Sequence, residues 1–202
     1  MPKIKLTKGE LKRQRDSLHQ FERFLPILQL KKQQLQMEII NQQLFFEKKK
    51  QEEQLKLKSF ESWLNLLADY KDIHKLIVIK NVRKTSRNIA GIDVPVFEGC
   101  DFKEIDYDLF LTPVWVDHAI TAFRELICLR LEISTIQEGV SVLKQELHVT
   151  TQRVNLFEKV KIPEAEEAIR LIKIYIGDQM TNAVGRSKIA KRKIEEYAAA
   201  RG

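Results

Sequence analysis

Leu126, Ile133, Val140, Leu147 and Val154 recur every seven residues, and Leu129, Ile136, Leu143, Thr150 and Phe157 follow three residues behind them. Nine of these ten positions are apolar. An ordinary surface helix carries a wider apolar stripe; a narrow seam of this period asks for a partner helix laid along it. The start of the helix is also legible, because Thr112 can cap a first turn and Pro113 suits the first helical position. The seam then slips. Ile162, Ala165, Ile169, Ile172, Ile176 and Ala183 form a stripe displaced by about one residue, with Pro163 at the junction. An interior proline removes a hydrogen bond and crowds the preceding turn, so the helix is expected to kink where its seam is re-aimed.

The first half echoes this pattern. Thr-Lys-Gly-Glu at 7–10 reads as a capping box. Leu11, Leu18, Leu25, Ile39, Phe46, Phe60 and Leu67 share one seven-residue track, broken at Lys32 and Glu53, and Phe21, Leu28 and Leu35 run beside it. Pro26 interrupts this helix as Pro163 interrupts the other. A helix of about 60 residues would be about 90 Å long, so an elongated molecule is expected. Between the helices the grammar changes. Residues 75–82 are rich in β-branched side chains, 83–88 read as a polar turn, and 89–97 alternate Ile92, Val94 and Val96 against Asp93, Pro95 and Phe97. Pro95 marks an edge strand, and Trp63, Leu67, Tyr70, Phe110 and Trp115 are candidates for the surface that supports the hairpin. The fold expected is mainly α, a long antiparallel two-helix coiled coil with a small β-hairpin region at its turn end. Its segments are 1–72, 73–112 and 113–202, forming one elongated domain.

Composition agrees: 31% of the 202 residues are charged, 8% are aromatic, and seven Gly and five Pro punctuate the chain. The longest apolar runs, such as Leu76–Val78 with Ile79, are far too short to span a bilayer. The basic start lacks a following apolar stretch, so no secretory signal is expected. Cys100 and Cys128 stand alone, without CxxC or Cys/His clustering, and read as buried thiols in a reducing cytosol rather than as a metal site or a disulfide. Residues 1–15 carry +5 and residues 186–202 carry +4, which leaves about −2 of the total +7 for the rest. Residues 93–108 hold six acids against one Lys. Antiparallel pairing would gather the two basic ends at one tip.

No constellation suggests catalysis. His19, His74, His118 and His148 are scattered without metal-like spacing, and Glu164, Glu166 and Glu167 read as a solvated helix face. Residues 177–188 lack the Gly-x4-Gly-Lys-Ser/Thr spacing of a phosphate loop. Phosphate contacts by the basic ends keep a coiled-coil nucleic-acid-binding or tethering protein open as a rival reading.

Certain motifs are familiar. Arg153, Val154, Asn155, Glu158, Ile162 and Pro163 resemble the Arg-Val-Asn-x-x-Glu-x-x-x-Ile-Pro stretch of the D subunit of V-type and archaeal-type rotary ATPases. Asn88, Ala90, Gly91 and Pro95 resemble that family's hairpin, and the stretches at 6–11 and 28–35 resemble its first helix. The resemblance spans nearly the whole chain, departing at 21–26 and in lacking an acidic run before the basic tail. It implies a central-stalk rotor that couples ion translocation to ATP synthesis or hydrolysis, without catalytic groups or cofactors of its own. Partners implied are the catalytic-ring subunits A and B, the small F subunit of the stalk and the collar subunit (C or d) on the membrane ring. Direct binding of nucleotide, nucleic acid or lipid is not expected. The location implied is cytoplasmic, peripheral to a membrane within a larger complex. Arg13, Arg15, Arg186, Lys188, Lys191, Arg192 and Lys193 are the candidate rotor-tip contacts.

Overall fold

The computed structural model describes residues 5–61, 76–104, 112–113 and 115–199. Three helices and a hairpin follow in order: α1 (Lys8–Glu61), β1 (Ile79–Ile89), β2 (Ile92–Phe102), α2 (Trp115–Leu156), and α3 (Ile162–Ala199). A single π-helical turn, Phe157–Lys161, separates α2 from α3. The chain divides into two compact units, Met1–Leu30 with Thr151–Gly202, and Lys31–Thr150.

The two longest helices form for different reasons. Across its 54 residues α1 has no Val or Thr and only three Ile, and it is rich in Leu, Gln, Lys and Glu, which lose little rotamer freedom in a helix. Thr7 caps it, its Oγ1 accepting from the Glu10 backbone N–H at 3.3 Å. The reciprocal half of the expected capping box is not made: the Thr7 N–H donates to the Lys5 carbonyl, while the Glu10 carboxylate accepts from Gln14. Pro26 does not end the helix. It lies on the exposed side, where the carbonyl it deprives of a donor can be hydrated. In contrast α2 is crowded with β-branched residues and relies on burial. It begins at Trp115, two residues later than the sequence suggested, with the Val116 N–H donating to the Pro113 carbonyl.

In the unit 31–150, α1 and α2 run antiparallel. Ion pairs descend in step: Lys31 with Glu146 (3.2 Å), Lys49 with Glu132 (3.1 Å), Glu53 with Arg130 (2.7 Å) and Lys56 with Glu125 (2.9 Å). Phe60 stacks on Phe123, centroids 5.4 Å apart. The apolar track of α1 seemed broken at Glu53 because this seam position uses a carboxylate, which reaches across to a guanidinium.

The hairpin is a two-stranded antiparallel sheet. Its turn is not the polar stretch 83–88, which belongs to β1, but Ala90–Gly91, flanked by the Ile89–Ile92 pair. Both central residues take positive φ, 51° and 80°, the geometry of a type I′ turn that matches strand twist. The Asn88 side chain holds it, accepting from the Gly91 N–H at 3.1 Å and donating to Asp93 at 2.8 Å. Long polar side chains occupy 83–88 because most of β1 is exposed. Register shifts at Lys80 and at Glu98 interrupt the simple alternation, so Val96 is exposed while Phe97 is half-buried.

From the turn end the hairpin folds back along the helices. Val94 joins Leu35, Ile39 and Leu143 in the main cluster, with Ile89, Ala90, Ile92 and Leu147 at its margin. Gly139 makes this approach possible, since a Cβ there would stand 2.7 Å from Val94 Cγ1. A second cluster, Leu76, Val116 and Ile120 with Trp115, closes the base. Trp115 packs at the start of α2 against the segment that leads into β1. Trp63, Leu67, Tyr70 and Phe110 lie outside the described residues.

In the other unit Phe21 meets Phe157 at 5.3 Å between centroids, and Leu18 lies beside Ile169 and Ile174. The π turn explains the slipped stripe. The Ile162 N–H donates to the Phe157 carbonyl five residues back, which inserts one extra residue and rotates the seam. Pro163, lacking an N–H, follows directly at a place where the regular ladder is already broken. Beyond it Ala165, Ala168, Ile169 and Ile172 are buried.

Candidate functional site

Among the described residues the candidate sites are helix surfaces and the hairpin. Among the described residues no cluster of His, Cys, Asp and Glu could hold a metal ion, and no helix is long and apolar enough to cross a membrane. His19, His118 and His148 are exposed, as are Glu164, Glu166 and Glu167. His74 lies outside the described residues.

The seam positions divide by depth. Leu143, Val154, Leu126, Leu129, Ile136 and Val140 are buried, while Ile133, Leu147 and Phe157 are half-buried. Thr150 is 1% exposed, as is Thr135, whose hydroxyl donates to the Leu131 carbonyl at 2.8 Å. Thr135 escaped sequence reading because it sits off the heptad seam.

Around the π turn the motif residues sort by face. Val154 is buried and Ile162 half-buried, whereas Arg153, Asn155, Glu158 and Pro163 face solvent. Packing within this chain accounts for the apolar members only. The polar ones are available to another surface, beside exposed Leu156 and Val160. In the hairpin, Asn88, Ala90 and Gly91 build the turn, and Pro95 sits opposite Ser86. The acidic patch is partly neutralised there: Asp101 takes a two-pronged bond from Arg83 and Asp93 one from Asn88.

The seven basic tip candidates do not form one cluster. Arg13 and Arg15 lie within the first two turns of α1, Arg13 beside Glu10 at 3.6 Å. Thr7 and Lys8, just before them, neighbour Tyr175, Gln179 and Ala183 of α3. Lys191 therefore stands about 12 Å further along α3 than Ala183, at 1.5 Å per residue. Arg186, Lys188, Lys191, Arg192 and Lys193 occupy a stretch where every residue from Gly177 to Ala199 is exposed. That stretch includes Met180, Val184, Ile189, Ile194 and Tyr197, the last 74% exposed. Ala183, assigned to the second stripe by period, is exposed too, because α1 has already begun and offers nothing further to pack on. Lys191 and Arg192 make only loose pairs along the helix, with Glu195 at 3.8 Å and Glu196 at 3.6 Å.

Among the described residues a few groups are perturbed. The hydrogen bond to Glu132 raises the Lys49 ammonium above its ordinary range, against partial desolvation. The hydrogen bond from Arg170 lowers the Glu167 carboxyl. Desolvation raises the Cys100 thiol, helped by Cys128 beside it. Of these, Lys49 with Glu132 is a strut between α1 and α2, Glu167 with Arg170 is a pair within α3, and Cys100 lies on β2.

Comparison with known proteins gives a consistent answer. A family model described as the D subunit of ATP synthase matches residues 10–192. The D subunit of the V-type ATP synthase of Borreliella burgdorferi is 44% identical over 191 residues, covering 95% of each chain. That of Chlamydia caviae is 34% identical over 196 residues, 96% of this chain and 94% of its own. That of Chlamydia pneumoniae is 30% identical over 195 residues, 95% of this chain and 93% of its own.

Proposed function

The chain belongs to the D-subunit family of ATP synthases, and on that premise we propose that it turns as the rotor shaft of a V/A-type rotary ATPase. It is a non-catalytic central-stalk subunit, transmitting torque between ion translocation and ATP synthesis or hydrolysis. In our reading the joined chain ends, Met1–Leu30 with Thr151–Gly202, enter the ring of subunits A and B. The hairpin and neighbouring helix surface meet the small F subunit and the collar subunit. The chain then works in the cytoplasm, held at a membrane only through its partners.

The observation that carries this reading is the bare stretch Gly177–Ala199, helical throughout and exposed at every residue. A lone helix in water gains little from its own apolar side chains, and tertiary packing normally supplies most of its stability. Five exposed large hydrophobics interspersed with cations suit a sleeve that covers them in turn. A rotor must release each wall it touches. Several surface pairs worth about 0–1 kcal/mol apiece allow that, where one tight lock would not. Different walls thereby bias different catalytic sites, and population shift does the rest.

The test is a reconstituted complex carrying the chain truncated after Gly177. The truncated chain should fold with little change in melting temperature, since the described residues removed are all exposed and meet only the start of α1, while ion-coupled ATPase falls several-fold. Full coupling with the truncated shaft would overturn the ring-insertion reading. Sequence-specific nucleic-acid binding by the isolated chain, together with unchanged coupling, would replace it with the rival tethering reading.

A further inference from the structure

Two thiols that are 28 positions apart in sequence meet in the fold. Strand β2 runs antiparallel to α2: Val94 lies against Gly139, and Phe102 lies under the Arg124 guanidinium at 5.4 Å. Between these fixed points Phe97 of β2 and Cys128 of α2 line one surface groove. Cys100 and Cys128 fall opposite one another in this register, near enough for Cys128 to help raise the Cys100 thiol. Both are reduced and half-buried. A disulfide between them needs a sulfur–sulfur bond of about 2.05 Å. Two half-buried side chains on a strand and a helix can supply that by rotamer adjustment.

We infer that Cys100 and Cys128 form a reversible dithiol–disulfide site, oxidised by a small-molecule disulfide of the glutathione class, that staples β2 to α2. Cys128 lines the open groove and is the thiol the oxidant reaches first. Its thiolate attacks one sulfur of the oxidant, forming a mixed disulfide and expelling one small thiolate. Cys100 then loses its proton to solvent and attacks the Cys128 sulfur, expelling the second small thiolate. Two protein thiols are oxidised by two electrons in total, and one small disulfide becomes two thiols. The raised Cys100 thiol makes this second step the slower one near neutral pH and faster as pH rises. The site stands on contacts within 31–150 alone, so it does not depend on the rotor reading. Its consequence is mechanical: the oxidised hairpin can no longer lift from α2. Disulfides of this kind in reducing compartments are typically transient and regulatory.

The experiment exposes the full-length chain to oxidised glutathione at pH 8 and follows intact mass, iodoacetamide-reactive thiols and melting temperature. The expected product is a monomer lighter by about 2 Da, with both thiols blocked until a reductant is added. Its melting temperature should rise by about 5–10 °C, because a 28-residue span is closed. Cys100→Ser should instead stop at a stable glutathione adduct on Cys128. Stable glutathione adducts on the wild-type chain, a disulfide-linked dimer, or two free thiols after prolonged exposure would each overturn the proposal.

Discussion

Leu143 and Val184 are both apolar residues on long helices, yet one is 0% and the other 56% exposed. Around Leu143 three elements converge: α1 brings Leu35 and Ile39, and β2 brings Val94. Around Val184 nothing from the described chain converges, because α1 begins opposite the Tyr175–Ala183 stretch. The difference teaches that apolar spacing specifies a helix face, whereas the cover over that face depends on where another element begins and ends. In the middle of the molecule this chain supplies its own cover. Along the last turns of α3 the described chain does not, and that bare face is the part our rotor reading leaves for a partner to cover.

The comparison breaks if the two sites respond alike to the same insult. Leu143→Ala should destabilise by about 2–5 kcal/mol, and Leu143→Asp by more, since its carboxylate would be stranded among Leu35, Ile39 and Val94. Val184→Asp should stay within about 0.5 kcal/mol. Urea unfolding of the isolated chain measures both, and equal losses would mean that Gly177–Ala199 is covered in solution.

Glycines sharpen the contrast by changing sign. Gly139→Ala drives a Cβ to 2.7 Å from Val94 Cγ1. Overpacking of about 1–3 kcal/mol should outweigh the roughly 1 kcal/mol gained in helix propensity. At Gly185 nothing lies within 4 Å of an added Cβ, so Gly185→Ala should stabilise by up to about 1 kcal/mol. Melting temperatures moving in the same direction would contradict the packing described.

Replacing Lys191, Arg192 and Lys193 together by Ala should leave the melting temperature within about 2 °C, the pairs being exposed and weak. In the reconstituted complex the same variant should lower coupled ATPase gradually, with a dependence on ionic strength. An unchanged ATPase would remove these cations from the tip.

The smallest effect is on pH dependence. Lys49 is raised in the folded state, so its pair with Glu132 contributes fully below the unfolded value of 10.5 and fades as pH climbs through the folded value. Glu132→Gln should flatten the alkaline limb of the stability curve. Glu167 is lowered, so its contribution is present above the unfolded value of 4.5 and fades as pH falls through the folded value. Arg170→Gln should flatten that acid limb less, because this pair is solvated.

Much of this was readable before any coordinates. The positions Leu126, Leu129, Ile136, Val140, Leu143 and Val154 are buried, and the slip before Pro163, expected as a discontinuity with a proline kink, coincides with a π turn the spacing did not name. These follow from local periodicity, which each helix carries in its own spacing. Other features were not readable locally. The hairpin turn was missed because Arg83–Asn88 looks like loop composition, while the true turn needs positive φ at Ala90, an unusual residue for it. The meeting of Cys100 with Cys128 and of Gly139 with Val94 depends on how β2 lies along α2.

The sequence by itself determined that long amphipathic helices would form and which residues share an apolar face on each. It did so because helix periodicity and capping are written in neighbours a few residues apart. Only the tertiary structure decided that the hairpin folds back onto Leu35 and Leu143, that a seam Glu becomes a strut to Arg130, and that the final turns of α3 stay bare. Those outcomes depend on the axial alignment of elements far apart in the chain. That alignment comes from the sum of many side-chain contacts rather than from any one local pattern.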